Sequence, residues 1–237
     1  MKGSTWVGFV PFYLLVLIVV IGIAGAGSNA VTVIAQNRPV ERKHCIVIDA
    51  GHGGIDGGAT SCTGVLESQI NLEIALRIND LFRLLGYDTV MIRETDESVY
   101  TEGNTIAAQK ISDLKERVRI TNETEKALLI SIHQNTFSDN RYHGAQVFYA
   151  PTESSDRLAK KLQQELVTYL EPESNRKIKK ADNVYYMQHI NCPGVLIECG
   201  FLSNPEEEAK LRNADYQKKL SAVIVGSCSH YLASDLS

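Results

Sequence analysis

A chain of 237 residues with a formal net charge of -4 has room for one domain with a substantial core and too little for two. The acidic balance argues against a nucleic-acid protein, since phosphate contacts need a concentrated basic face. Five cysteines, Cys45, Cys62, Cys192, Cys199 and Cys228, form no CxxC pair and are odd in number, so neither a disulfide framework nor a thiolate zinc site is indicated.

After Lys2 no charged residue occurs until Arg38, and Val7 to Ala26 is almost wholly apolar, about 20 residues, the length of a helix that crosses a hydrocarbon core. Residues 1–40 are therefore expected to be a membrane anchor and linker. A cleaved signal is the other reading, with Ser28-Asn29-Ala30 as a small-x-small site. Either way, residues 41–237 form the globular domain and are expected outside the cytoplasm.

Ile46, Val47 and Ile48 are β-branched and lead into the glycine-dense stretch DAGHGGIDGGA, which predicts a buried strand ending at a loop that carries His52. A plain turn with a solvated histidine fits the same residues. Apolar residues Ile70, Ile74, Leu81, Leu84 and Leu85 predict a helix over 67–85, closed by Gly86. A strand follows over 87–92, then a polar loop to Gln109 and a helix with Ile111, Leu114, Val118 and Ile120. The run ALLISI, 127–132, reads as a central strand, 144–150 as another, and 154–169 as a helix. A polar, basic stretch follows over 171–180. Short strands are expected at 184–187 and 194–198. Asn204-Pro205-Glu206-Glu207 opens a final helix to about Tyr231, with an interruption expected near 213–215.

Strands alternating with helices imply one α/β domain, a mostly parallel or mixed twisted sheet of about six strands with helices on both faces. Such folds bind ligands outside the carboxyl ends of their strands. His52, His133 and Glu198 each end a strand, and Glu67 opens the helix after the glycine loop, which places the four on one rim. Two imidazoles and a carboxylate with an open position form a set used by catalytic zinc, so His52, Glu67 and His133 are candidate ligands. Glu198 closes the apolar run GVLI, where an unpartnered carboxylate is costly, and is a candidate general base. A salt bridge or an N-cap contact is the structural alternative for it. Two carboxylates alone would suit a glycosidase, a reading that leaves the histidines without a role.

The motifs IDAGHGGIDGGA, GVLE, LLISIHQNT and GVLIECGFLSNPEE, in that order over about residues 44 to 232, resemble the zinc-dependent N-acetylmuramoyl-L-alanine amidases of the Amidase_3 family. The resemblance implies one zinc per chain on His52, Glu67 and His133, with Glu198 catalytic. It also implies hydrolysis of the amide between the lactyl group of N-acetylmuramic acid and L-alanine in peptidoglycan. Within the family it leans toward the spore-cortex, germination-specific branch, which implies a place in the forespore or mother-cell envelope. That branch acts before muramic δ-lactam formation, with a muramic-acid deacetylase next in sequence, and an accessory lipoprotein is a further implied partner. A wall-binding protein that keeps the fold without turnover, or only with a partner, is the competing class. Two positions depart from the family pattern: Ala50 stands for the usual proline before the glycine-histidine pair, and Ser68 for the usual lysine after the glutamate. The first raises the question of how the His52 turn is held.

Asn135 is a candidate substrate or ligand-orienting residue, with turn capping as its alternative. Arg176, Lys179 and Lys180 are candidates for carboxylates of the substrate, or a solvated charge run. His189 is a candidate lining residue of the cleft. Arg93 and Arg117 are expected to pair with buried acids near the sheet, and Tyr185, Tyr186 and Met187 to belong to the core.

Overall fold

The apolar run Cys45–Ala50 forms strand β1, buried from Ile46 onward. The computed structural model describes residues 44–234. The anchor expected at 1–40 lies outside them; among the described residues no helix is long and apolar enough to cross a membrane. After β1 the order is α1 Glu67–Leu84, β2 Thr89–Met91, α2 Ile106–Glu123, β3 Ala127–Asn135, β4 Gln146–Tyr149, α3 Ser155–Leu170, β5 Lys179–Lys180, α4 Tyr185–His189, β6 Gly194–Phe201, α5 Pro205–Leu211 and α6 Ala214–Ser234.

The strands form one sheet in the order β2-β1-β3-β6-β4-β5. The first four are mutually parallel, whereas β4 runs antiparallel to β6 and β5 parallel to β4. Side chains alternate between the two faces. Ile46, Ile48, Leu128, Ile130, Val195 and Ile197 pack beneath α1, α3 and α6, against Ile74, Phe82, Leu162 and Ile224. Val47, Leu129 and Leu196 take the other face, with Tyr186 and Met187 of α4 and Leu114 and Val118 of α2. Cover on both faces is what allows the parallel strands to be continuously apolar. The carboxyl ends of β1, β3 and β6 open on one rim, and the amino end of α1 meets them there.

The local signals explain the helix ends. Gly86 adopts φ 73 after α1, a left-handed conformation that glycine tolerates without steric cost. Asn204 Oδ1 accepts from the Glu206 and Glu207 N–H groups and so caps α5. Asn213 does the same for Asp215 and Tyr216, and this second cap produces the interruption between α5 and α6.

Two expectations about local structure are corrected. Residues 184–187 are not a strand: α4 occupies Tyr185–His189, buries Tyr186 and Met187 and leaves Tyr185 exposed. The Tyr186 hydroxyl bonds with Thr121 Oγ1 of α2, so Tyr186 serves helix packing instead of a ladder, and Tyr185, expected in the core, does not. The edge strand β5 instead lies inside the basic stretch, where Lys179 and Lys180 pair with Phe148 and Tyr149 through the backbone. Exposed lysines on an edge strand oppose pairing with another chain.

Candidate active site

Glu67 opens α1 and is buried, yet both of its oxygens are engaged. Oε1 lies 3.0 Å from His133 Nδ1 and accepts from the Gln134 N–H at 3.0 Å and Asn71 Nδ2 at 3.2 Å. Oε2 lies 3.2 Å from His52 Nε2 and accepts from the Ala59 N–H at 3.0 Å. One donor atom from each of His52, Glu67 and His133 lies within 4.8 Å of the others, which makes these three residues able to hold a metal ion. Two imidazole nitrogens and a carboxylate oxygen suit a borderline-soft divalent cation that binds N and O donors.

Electrostatics favour positive charge at the centre of this cluster. Burial opposes a charge on His52, but the hydrogen bond and charge of Glu67, then those of Asp56, outweigh it and raise its pKa to about 9. Burial likewise opposes the Glu67 carboxylate, and the hydrogen bonds and charges of His133 and His52 hold it far below its ordinary range. A cation in the same place would displace those protons.

The two histidines are positioned in different ways. His133 stands on β3 in register with Glu198 of β6, so the sheet puts both side chains on the same face. His52 lies beyond the end of β1 with φ 61, left-handed backbone that costs a non-glycine residue about 1–2 kcal/mol. Its Nδ1 donates to Asp56 Oδ2 at 2.9 Å, and Asp56 also pairs with Lys110 at 2.8 Å. That bond leaves Nε2 turned toward Glu67. Gly51 is required by contact: a Cβ there would sit 2.3 Å from the His133 ring.

Two buried arginines hold the turn. Arg117 pairs with Asp49 and Asp113 and donates to the Ala50 and His52 carbonyls, the latter at 2.7 Å. Asp49 also accepts from Ser131 Oγ at 2.5 Å. Arg93 departs from expectation, for its direct partners are carbonyls: Ala50 at 2.8 Å, Gly51 at 3.0 Å, Ser68 at 2.8 Å and Thr95 at 2.9 Å. The peptide oxygens of a sharp turn need donors, and the planar fork of arginine supplies several at once.

Glu198 sits beside this cluster, and its Oε2 is a buried oxygen without a hydrogen-bond partner. Burial, chiefly, raises its pKa to about 7; the charge of Glu67 adds to the rise while His133 and His52 oppose it. A carboxyl group that changes charge near neutral pH can take and return a proton. The salt-bridge alternative for Glu198 fails for want of a cationic partner among the described residues. Glu67, locked between two imidazoles, is equally unavailable as one of a glycosidase pair.

Among the weaker candidates, Asn135 ends β3 and its Oδ1 accepts from the N–H of the next residue, Thr136. Arg176 reaches the same end of the sheet, donating to His143 O and Gln146 Oε1, with its guanidinium 4.6 Å from the Phe201 ring centroid. Gln146 is the register partner of Glu198. Lys179 and Lys180 lie farther back on the edge strand, Lys179 opposite Phe148. His189 is not at the rim. It stacks on Tyr185 at 3.9 Å, and its carbonyl accepts from Asn122, next to the last residue of α2, which leads into the amino end of β3.

Sequence reasoning missed Asn71, whose amide joins Glu67 Oε1 to the Gly51 carbonyl while its Oδ1 accepts from Gln134. The signal was present: Asn71 stands four residues after Glu67 on the same helix face. It also missed Asp56, four residues after His52. Phe137 and Tyr142, half exposed with ring centroids 4.6 Å apart, lie on the loop after β3 and gave no periodic signal.

The fold brings a His-Glu-His cluster able to hold a metal ion beside a half-buried glutamate, the class of site that serves metal-assisted hydrolysis. The model of the Amidase_3 family, described as N-acetylmuramoyl-L-alanine amidase, matches residues 46–229, and the chain belongs to that family. It is 39% identical over 188 residues to the germination-specific N-acetylmuramoyl-L-alanine amidase of Bacillus subtilis, covering 78% of each chain. Its structure is similar to that of the CwlD amidase of Clostridioides difficile in complex with the GerS lipoprotein, with TM-score 0.77 and 38% identity over 80% of this chain and 98% of that one. An N-acetylmuramoyl-L-alanine amidase of Clostridium difficile 630 aligns with TM-score 0.71 and 32% identity over 82% of this chain and 99% of that one.

Proposed function

We propose that this chain is a zinc-dependent N-acetylmuramoyl-L-alanine amidase that cleaves the bond between the lactyl group of N-acetylmuramic acid and L-alanine in peptidoglycan. The observation that carries the reading is a half-buried Glu198 with one carboxyl oxygen buried and without a hydrogen-bond partner, beside three donors within 4.8 Å of one another. His52, Glu67 and His133 would hold the zinc. When bound, zinc polarises the amide carbonyl and acidifies water.

Glu198 accepts a proton from the attacking water as its oxygen adds to the carbonyl carbon. It then delivers that proton to the nitrogen as the C–N bond breaks, which leaves a lactyl carboxylate and the amine of L-alanine. Its raised proton affinity suits both steps, since a carboxylate at its ordinary pKa is a weaker base. Asp56 holds His52 in one orientation, and Asn71 ties Glu67 to the turn. Arg176, set above Phe201 at the same end of the sheet, offers a cation to carboxylates of the stem peptide.

A spore-cortex role is the finer part of this proposal, supported by the likeness to a germination-specific relative. With it come an extracytoplasmic site of action, a membrane anchor within residues 1–40, and a deacetylase that uses the product. A lipoprotein partner is supported by the complex in which the CwlD relative was solved. Digestion of purified peptidoglycan by wild type and by Glu198→Gln tests the catalytic core. Release of stem peptide by the wild type alone is expected; equal release by the variant refutes the role of Glu198.

A further inference from the structure

Arg93 is 4% exposed, and among the described residues no carboxylate lies in ion-pair contact with it. Burying a guanidinium whose direct hydrogen bonds all go to carbonyls is an expensive way to stabilise a fold, because carbonyls only partly replace the lost hydration. Its charge is disfavoured first by burial and next by the neighbouring Arg117, and the carboxylates of Asp49, Asp96 and Asp113 offset this only in part. A residue kept under those conditions has a geometric use.

The geometry of its partners shows what that use is. Nε and Nη2 reach the carbonyls of Ala50 and Gly51, the two residues before His52, at 2.8 and 3.0 Å. The same Nη2 reaches the carbonyl of Ser68, the residue after Glu67, at 2.8 Å. Nη1 anchors the group to its own loop through Thr95 O at 2.9 Å. One rigid plane therefore joins the turn that carries the first donor to the helix start that carries the second. Gly53 lies against the same side chain, where an added Cβ would sit 2.8 Å from Nε.

We infer that Arg93 is a positioning residue for the metal site, setting the separation of His52 and Glu67 through its bonds to the Ala50, Gly51 and Ser68 carbonyls. This rests on the reading of His52, Glu67 and His133 as zinc ligands. Lysine cannot substitute, because a single ammonium cannot span carbonyls on two elements with fixed geometry. Proline at 50 adds little, because both carbonyls flanking Gly51 N–Cα are already tethered. The turn also tolerates it: Ile46 donates its N–H to Asp88 on the β2 side, Ala50 keeps that parity, and β2 ends at Met91 opposite Ile48.

The test titrates the metal-free full chain with zinc against a chromogenic chelator, for wild type, Arg93→Lys and Ala50→Pro. Amide hydrogen exchange over residues 51–54 is followed in the metal-free state. Arg93→Lys is expected to weaken zinc binding by about 10–100-fold and to speed exchange in the turn. Ala50→Pro is expected to leave zinc affinity unchanged. Wild-type zinc affinity in Arg93→Lys overturns the inference, as does a gain of about tenfold or more in Ala50→Pro, which remains decisive should the arginine variant not fold. A wild type that binds no zinc would instead remove the metal reading itself.

Discussion

His52 and His133 face the same glutamate, yet one is held by a strand and the other by a turn. His133 sits in a ladder whose register with β6 also places Glu198, so its position follows from backbone pairing over many residues. His52 lies two residues beyond the last paired residue of β1, in left-handed backbone, and depends on side chains from elsewhere in the chain: Arg93, Arg117 and Asp56. The comparison teaches that a ligand on regular structure comes with its fold, whereas a ligand on a glycine turn needs its own supports, each of which is a separate point of failure.

The largest expected effect lies at the residue both regions serve. Glu198→Gln should lower kcat by about 10²–10⁴-fold or more while zinc content stays at wild-type level, measured by stem-peptide release and elemental analysis. Loss of zinc with the activity would mean that Glu198 acts on the metal site instead. Removing the turn's charged support comes next. Arg117→Met leaves Asp49 buried without its partner and should destabilise the protein by about 3–5 kcal/mol, read from denaturant unfolding. A loss no larger than that of an exposed charge would show that the turn does not lean on this pair.

Asp56→Asn should weaken zinc binding by about 10–100-fold through misorientation of His52, because the strand-held His133 has no counterpart to this contact. An unchanged affinity would erase the contrast between the two histidines.

Acid sharpens the same contrast. Burial opposes the Asp49 carboxylate, but Arg117, His133 and Ser131 outweigh it and hold its pKa below the ordinary value. The unfolded chain thus takes up this proton at higher pH than the folded one. The stabilisation is complete above about pH 4, the unfolded pKa, and is lost as pH falls through the folded value. Asp49→Asn should be less stable at neutral pH and lose less further stability on acidification below about pH 4. Parallel curves of Tm against pH for the two proteins would contradict this. The smallest effect is expected at the surface beyond β3, where Phe137→Ala with Tyr142→Ala should raise KM for the glycan substrate by an amount equivalent to about 1 kcal/mol and leave kcat in place.

How much was legible in the sequence follows the same division. The runs at 46–48, 127–132 and 194–198 are apolar and followed or ended by polar residues, so the cores of β1, β3 and β6 and the rim they share could be read directly, while the extensions of β3 to Asn135 and of β6 to Phe201 could not. Strand ends at His52, His133 and Glu198, with Glu67 at a helix start, brought the cluster within reach. Its supports were less visible because they are carbonyl contacts: nothing in the pattern around Arg93 shows that it bonds oxygens 42 and 43 residues earlier in the chain. The misread segment at 184–187 has the β-branched and aromatic content of a strand, but in the structure it forms a short helix that buries Tyr186 and Met187 and bonds Tyr186 to Thr121. His189 followed that misreading to the wrong end of the sheet.

The central claim is that His52, Glu67 and His133 hold one zinc at which Glu198 cleaves the muramoyl amide. Mass spectrometry of peptidoglycan fragments after digestion by the purified protein, with and without a chelator, tests it most directly. The account predicts glycan strands freed of stem peptides that begin with an unblocked L-alanine, and no such products once zinc is removed. Undiminished release in chelator, or cleavage at a glycosidic or peptide bond instead, would contradict it.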